Sequence, residues 1–299
     1  MAITKVPFAL AMSGFVPETM RLLRWVRTHH FTSEGDFRAP SRKATLSVHD
    51  DWPTYSNAWL IQGAHRLGQF DLSVRGAEFL LRYQTPCGGF QAFEGGVPYV
   101  ECVGTSWSGL AELTVGNRES AAAAAKCLKQ LVDQQPDPGR FYFRMTREGK
   151  LVTNVPAGEA LSYYVDAERK KQIYFHPGIA MAFLCHYYLA MDDSAALAAA
   201  ETIFEFTQRC ADDVYCFLPS GELGYSCAVL SAITNRPEAR HAAEAVADYL
   251  VRTQVDEGYW RLPDDELYAI IEDKNDPEIL LDTTAEFCTW LWEISALLP

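Results

Sequence analysis

The stretch Gln254-Val255-Asp256-Glu257-Gly258-Tyr259-Trp260 recurs in outline as Gln84-Thr85-Pro86-Cys87-Gly88-Gly89-Phe90 and as Gln135-Pro136-Asp137-Pro138-Gly139-Arg140-Phe141. Each copy has a glutamine, a glycine four residues later and a large ring two residues after that, and each closes an apolar, helix-patterned segment. Gly35 to Phe37 repeats the glycine and the ring without the glutamine. Glycine can take the left-handed conformation that ends a helix, a buried ring two positions on fastens the turn, and a glutamine amide can satisfy backbone groups left open there. Repetition of the device predicts repetition of a helical hairpin.

Working outward from these turns, apolar residues at helical spacing predict two alternating kinds of helix. Segments Pro17 to His30, Leu72 to Tyr83, Glu119 to Val132, Ser194 to Gln208 and Pro237 to Thr253 carry charge on one face. In the last of these Arg240, Glu244 and Asp248 stand at i, i+4 spacing. Segments Pro53 to Leu67, Gly104 to Leu113, Gly178 to Leu189, Gly224 to Ile233 and Leu281 to Leu297 are richer in small or apolar residues, nearly all round in Gly178 to Leu189 and Gly224 to Ile233. An outer ring facing water around an inner ring buried on both sides is an α/α toroid, all-α and a single domain over 1–299. The turn spacing leaves five or six hairpins open. Phe141 to Val155 reads as a β-hairpin turning at Glu148-Gly149-Lys150, and Gly158 to Asp166 as a short helix, so a sixth, irregular unit is expected there.

The 299 residues are 48% apolar and 12% aromatic, enough for a large core and a ring-lined cavity. A net charge of −13, spread along the chain, disfavours nucleic acid and anionic lipid as partners. The eight cysteines include no C-x-x-C pair and read as free thiols of a reducing compartment, which makes the cytoplasm the expected location. Val6 to Val16 is apolar but interrupted by Pro7 and Gly14, and no stretch reaches membrane-spanning length.

In a toroid the segments leading into the inner helices converge on one mouth. Here they carry Asp50, Asp51 and Tyr55 with Trp52; Tyr99, Glu101 and Cys102; Tyr174 and His176; Glu222, Tyr225 and Cys227; and Asp282 with Glu286. Together, over a floor that includes Trp107, they would form an aromatic pocket with acid/base groups at its rim. Two adjacent carboxylates such as Asp50 and Asp51 separate their proton affinities, so one can act as a general acid. His176 can relay a proton, as can Tyr55 and Glu101. Structural roles compete at every position. Asp282 and Thr283 would serve equally as helix caps, Cys102 and Cys227 as buried small hydrophobes, the tyrosines as core rings, and Trp260 as the staple of its turn. No metal-ligand spacing, phosphate-binding glycine loop or nucleophile elbow is present, so neither metal nor cofactor is expected.

The Q-x-x-x-G-x-F/W turns resemble the QW repeats of the terpenoid cyclase and protein prenyltransferase toroids. That resemblance implies proton-initiated or ionisation chemistry on an isoprenoid. The chain departs from the family at its acid motifs: Val48-His49-Asp50-Asp51 lacks the first aspartate of D-x-D-D, and Asp50 to Thr54 does not complete D-D-x-x-D. By class it is most similar to the linalool dehydratase/isomerase type, which implies a cyclase, isomerase or hydro-lyase without metal. Asp51, with Asp50, would then donate a proton, and Tyr55, Glu101 and His176 would relay it. The remaining rim residues, Trp52, Tyr99, Cys102, Trp107, Tyr174, Tyr225, Cys227, Trp260 and Asp282, would contact an apolar small molecule.

Two other readings fit the same residues. A carbohydrate-active (α/α) barrel, an epimerase, lyase or hydrolase, would use Arg140, Arg144, Arg147 and Arg261 to grip carboxylates and Trp52 and Trp260 to stack on sugars. A non-catalytic toroid would bind a protein or lipid. Trp292 on the last helix suits a contact between copies of the chain.

Overall fold

A computed structural model describes residues 2–37, 52–92, 99–264, 268 and 273–298. Eleven α-helices are present among them: α1 (Ala2–Met12), α2 (Val16–His29), α3 (Tyr55–Arg66), α4 (Phe70–Leu80), α5 (Cys102–Val115), α6 (Arg118–Asp133), α7 (Phe175–Met191), α8 (Ser194–Thr207), α9 (Gly221–Thr234), α10 (Pro237–Thr253) and α11 (Pro277–Leu297). The ten amphipathic and small-residue helices predicted from the apolar spacing are all found, with ends shifted by a few residues. None among the described residues is long and apolar enough to cross a membrane.

The odd-numbered helices pack side by side in the order α1, α3, α5, α7, α9, α11, and α11 returns to α1. This is a closed ring of six inner helices, with α2, α4, α6, α8 and α10 packed outside it. The sixth inner helix is therefore α1, which overlaps the apolar Val6 to Val16 segment, and not a unit hidden after Phe141. Pro7 is accommodated within α1, where Phe8 and Ala9 are buried against the ring.

Small residues let the inner helices approach closely. A Cβ placed on Gly178 of α7 would stand 2.7 Å from the Leu223 backbone nitrogen of α9. The outer helices show the amphipathic burial read from their sequence: in α10, Ala239, Ala242, Ala243, Val246 and Leu250 face inward.

At the repeated turns the glutamines do what their position suggests. Gln84 Nε2 donates to the carbonyls of Gly88 (2.9 Å) and Ser120 (3.0 Å), Gln135 Nε2 to those of Leu131 (3.0 Å) and Tyr142 (2.8 Å), and Gln254 Nε2 to that of Gly258 (3.0 Å). Phe37, Phe90, Phe141 and Trp260 are all buried, and the Trp260 indole donates to the Leu250 carbonyl at 2.8 Å. The turns are also tied to the next inner helix: the Phe37 amide donates to Asn57 of α3, and the Phe90 amide to Thr105 of α5.

Between α6 and α7 the chain makes strands rather than a helical unit. β2 (Arg140–Tyr142) pairs antiparallel with β4 (Tyr164–Asp166), and β3 (Arg144–Met145) with β1 (Val100–Glu101) just before α5. The expected hairpin survives only as a tight turn at Gly149, where Met145 bridges Leu151. The predicted helix over Gly158 to Asp166 is a single 3-10 turn at Ala160–Ser162 leading into β4, which is drawn out to satisfy the β2 backbone.

Candidate functional site

Because the inner helices alternate with outer ones, their N-terminal ends collect at one mouth of the ring. A cavity of about 190 Å³ opens there, lined by Lys5 of α1, Trp52 and Tyr55 before and at the start of α3, Phe175 of α7, Glu222 of α9, and Asp282 and Glu286 of α11. Asp276 caps α11, its carboxylate accepting from the Glu278 amide at 2.7 Å. Asp282 lies more than a turn further on and so is not the cap that its sequence position allowed.

Lys5 organises the carboxylates. Its ammonium donates to Asp282 Oδ2 at 2.7 Å and to Glu286, and sits 5.6 Å from the centroid of the Tyr55 ring. Burial opposes this charge, but the two carboxylates outweigh it and hold the Lys5 proton more tightly than in a free lysine. Lys5 is thus a fixed cation. Glu222 is the reverse case: burial, reinforced by the charge on Glu286 and only partly offset by Lys5, raises its carboxyl well above the usual range. Its surroundings therefore favour the neutral, protonated form of the carboxyl. Burial likewise keeps the Tyr55 phenol protonated, against the pull of Lys5. Asp282 Oδ1 is buried without a hydrogen-bond partner among the described residues. Three carboxyl groups in different electrostatic surroundings, with a neutral phenol beside them, can divide the roles of proton donor and acceptor.

A second polar cluster adjoins the cavity behind Trp52. The Trp52 indole donates to Glu101 Oε2 at 2.8 Å, and Arg144 Nε donates to Glu101 Oε1 at 2.5 Å. The register of β1 against β3 sets Glu101 opposite Arg144. The guanidinium lies over the rings of Tyr163 (4.4 Å) and Tyr99 (5.6 Å). His176 stacks flat on Phe143, 3.7 Å between centroids, with its edge toward Trp52 at 6.4 Å. Burial first, and the nearby Arg144 charge second, depress its proton affinity, so the imidazole is neutral.

The floor is a stack of rings: Trp59 on Trp107 at 4.3 Å, with Trp290 tilted against both. Trp107 is also beside Glu222 and slightly favours its charged form.

Of the residues singled out in the sequence, Trp52, Tyr55, Glu222, Asp282 and Glu286 face the cavity, and Glu101, Tyr99 and His176 form the cluster behind Trp52. Cys102 is buried next to Glu101, and burial raises its thiol. Four positions point elsewhere. The Tyr174 hydroxyl donates to Asp213 at 2.9 Å, Tyr225 bonds His186 at 2.5 Å and stacks on Trp290, Cys227 is buried near Cys185, and Trp260 packs against Phe287 as the staple of its turn. Asp50 and Asp51 lie outside the described residues. Lys5 is the cavity residue that the sequence does not single out, because it stands as a lone cation just before the apolar Val6 to Val16 segment. The available signal was its spacing to Phe8 and Ala9, which places one cation on the buried face of a helix.

With this geometry in place, comparison with solved structures becomes informative. A D-mannose isomerase superposes with a TM-score of 0.67 at 11% identity, covering 99% of this chain and 87% of that one. An unsaturated glucuronyl hydrolase specific for heparin gives 0.61 at 11% identity, covering 98% and 86%. A GH76 α-mannanase from Bacteroides thetaiotaomicron gives 0.63 at 10% identity, covering 99% and 85%. The chain has the α/α toroid fold. No family model and no curated relative matches it by sequence. The resemblance drawn from the glutamine and glycine turns therefore holds at the level of the toroid, and its terpenoid cyclase part is unsupported.

Proposed function

We propose that this toroid is an acid/base enzyme acting on a small sugar or sugar acid, with isomerisation or epimerisation as the reaction. The observation that carries this reading is one cavity that holds both the Lys5-paired carboxylates Asp282 and Glu286 and the separate carboxyl of Glu222, whose burial favours its protonated form. Isomerisation next to a carbonyl needs one group to remove a proton from carbon and another to protonate oxygen. Glu286 or Asp282, held by Lys5, takes the first role, and Glu222 the second. The neutral Tyr55 phenol donates to a substrate oxygen, Asp282 Oδ1 accepts from a hydroxyl, and Trp52 offers a ring face to the apolar side of the sugar. Asp50 and Asp51 directly precede Trp52 in the chain and are proposed contributors on that ground.

Two features favour a single sugar over the other substrates considered. Lys5, Tyr55, Glu222, Asp282 and Glu286 around so small a space suit a hydroxyl-rich ligand better than an isoprenoid, which would leave their hydrogen bonds unmet. At about 190 Å³ the cavity is below the roughly 300–1,000 Å³ common for drug-sized ligands. The isomerase and glycan hydrolases that share the fold are in accord with this.

The test is incubation with a panel of aldoses, ketoses and uronic acids in heavy water, followed by proton NMR. Deuterium should enter at the carbon beside the carbonyl of at least one sugar, and Glu222→Gln should slow this by about 10²- to 10⁴-fold with unchanged circular dichroism. Turnover of prenyl alcohols with no sugar exchange, or full activity in Glu222→Gln, would overturn the proposal.

A further inference from the structure

Outside the cavity, one pair of side chains is arranged for chemistry that the proposed reaction does not use. Cys87, in the first of the glutamine and glycine turns, is half-buried, whereas Cys127 on α6 is completely buried. Their sulfur atoms are 3.6 Å apart. The Thr85 hydroxyl is 3.2 Å from Cys87 Sγ, and the Cys87 amide donates to the Arg147 carbonyl at 3.1 Å, so the turn is held from both sides.

We infer that Cys87 and Cys127 form a reversible oxidation site, in which Cys87 meets a peroxide and Cys127 resolves the product as an intramolecular disulfide. The Cys87 thiolate attacks one peroxide oxygen and the O–O bond breaks. The sulfur is oxidised to a sulfenic acid, and the leaving hydroxide takes a proton to become water. The Cys127 sulfur then attacks the sulfenic sulfur, its proton leaves with the displaced hydroxyl as a second water, and the S–S bond forms. Two thiols and one hydrogen peroxide give one disulfide and two waters. A dithiol reductant reverses the change.

The half-exposure of Cys87 against the full burial of Cys127 sets the division of roles, and the electrostatics and the short gap agree with it. Contact with the Cys127 thiol, helped by the Thr85 hydroxyl, lowers Cys87 to about 6 against the opposing effect of burial, so it is largely thiolate at neutral pH. Cys127 shows the opposite shift, raised by the same contact and by burial, as suits a resolving thiol shielded from solvent. Closing the 3.6 Å gap to a bond of about 2.05 Å needs a movement of only about 1.5 Å. The other thiols lack this combination: Cys185 and Cys227 are fully buried, and burial pushes Cys210 up to about 12.

The experiment treats the full chain with one equivalent of hydrogen peroxide at pH 7, blocks remaining thiols with N-ethylmaleimide, and maps non-reduced peptides by mass spectrometry. The expected result is loss of two hydrogens, a linked Cys87–Cys127 peptide, and recovery of both thiols with dithiothreitol. In Cys127→Ser the Cys87 sulfenic acid should persist and be trapped by dimedone. Exposed Cys216 is the internal control. Wild-type protein in which Cys87 oxidises no faster than Cys216, or goes to sulfinic acid with Cys127 still free, would overturn the inference whether or not the serine variant folds. Both readouts are masses, so they stand independently of any sugar activity.

Discussion

Lys5 has both of its carboxylate partners inside the ring, with 4% of its surface exposed. Replacing it with Met would leave Asp282 and Glu286 facing each other without a counter-charge in a desolvated site. Loss of one member of a buried pair costs about 3–5 kcal/mol, so Lys5→Met should lower the urea midpoint by a corresponding amount. Adding Asp282→Asn and Glu286→Gln should recover much of that loss, and a loss below about 1 kcal/mol would mean that the carboxylates reach water. Glu112, near the C-terminal end of α5, gives a pH test far from the cavity. Its Oε2 accepts from Asn117 at 2.7 Å, its Oε1 is buried without a described partner, and burial raises its carboxyl from an ordinary 4.5 to about 7. Between these values the unfolded chain has released the Glu112 proton while the folded chain keeps it. Stability therefore falls as pH rises from about 4.5 to about 7, by up to roughly 3 kcal/mol for this one group. Glu112→Gln can keep the bond from Asn117 and should raise the melting temperature at pH 8 more than at pH 4.5. An equal change at both values would refute the assignment. Neither residue's state was legible in the sequence, because burial and the nearest charge come from other helices.

At the scale of elements, the turns were the most readable part of the chain. A glutamine, a glycine and a ring act within seven residues of one another, so local sequence specifies them; Gly88 and Gly258 take the expected left-handed conformation, whereas Gly139, which leads directly into β2, does not. What lies against each turn is not local. Gly88 and Gly258 have almost the same φ, +92° and +87°, yet a Cβ on Gly88 would be 2.3 Å from the Ala123 carbonyl oxygen, whereas nothing stands within 4 Å of one on Gly258. Gly258→Ala should cost about 1 kcal/mol from backbone strain alone. Gly88→Ala should cost distinctly more, since α6 must also move. Melting of the two variants side by side tests this, and equal losses would show that α6 yields freely. The region between β2 and β4 is less regular than its sequence pattern predicts. Its strands are short and pair with segments more than twenty residues away or with the approach to α5, which no local pattern reveals.

For the molecule as a whole, closure of the ring rests on α1, which packs between α3 and α11 and delivers Lys5 to the cavity. Deleting residues 2–12 should expose the facing sides of both neighbours and remove the only cation that lines the cavity among the described residues. We expect the truncated chain to lose its cooperative thermal transition, measured by circular dichroism at 222 nm. A sharp melt within a few degrees of the full chain would mean that five inner helices close without it. The sequence by itself determined the alternation of amphipathic and apolar helices, and hence the toroid, because burial of one face or of all faces is written at 3.6-residue spacing in each segment. It also supplied several residues of the mouth, since helix starts are locally marked. Only the tertiary structure decided which of them share a cavity, that Tyr174, Tyr225, Cys227 and Trp260 turn away from it, and that burial favours the neutral form of Glu222 while Asp282 and Glu286 share Lys5. Those outcomes depend on distances between side chains from helices up to 281 residues apart, and electrostatic energies follow distance in space rather than along the chain.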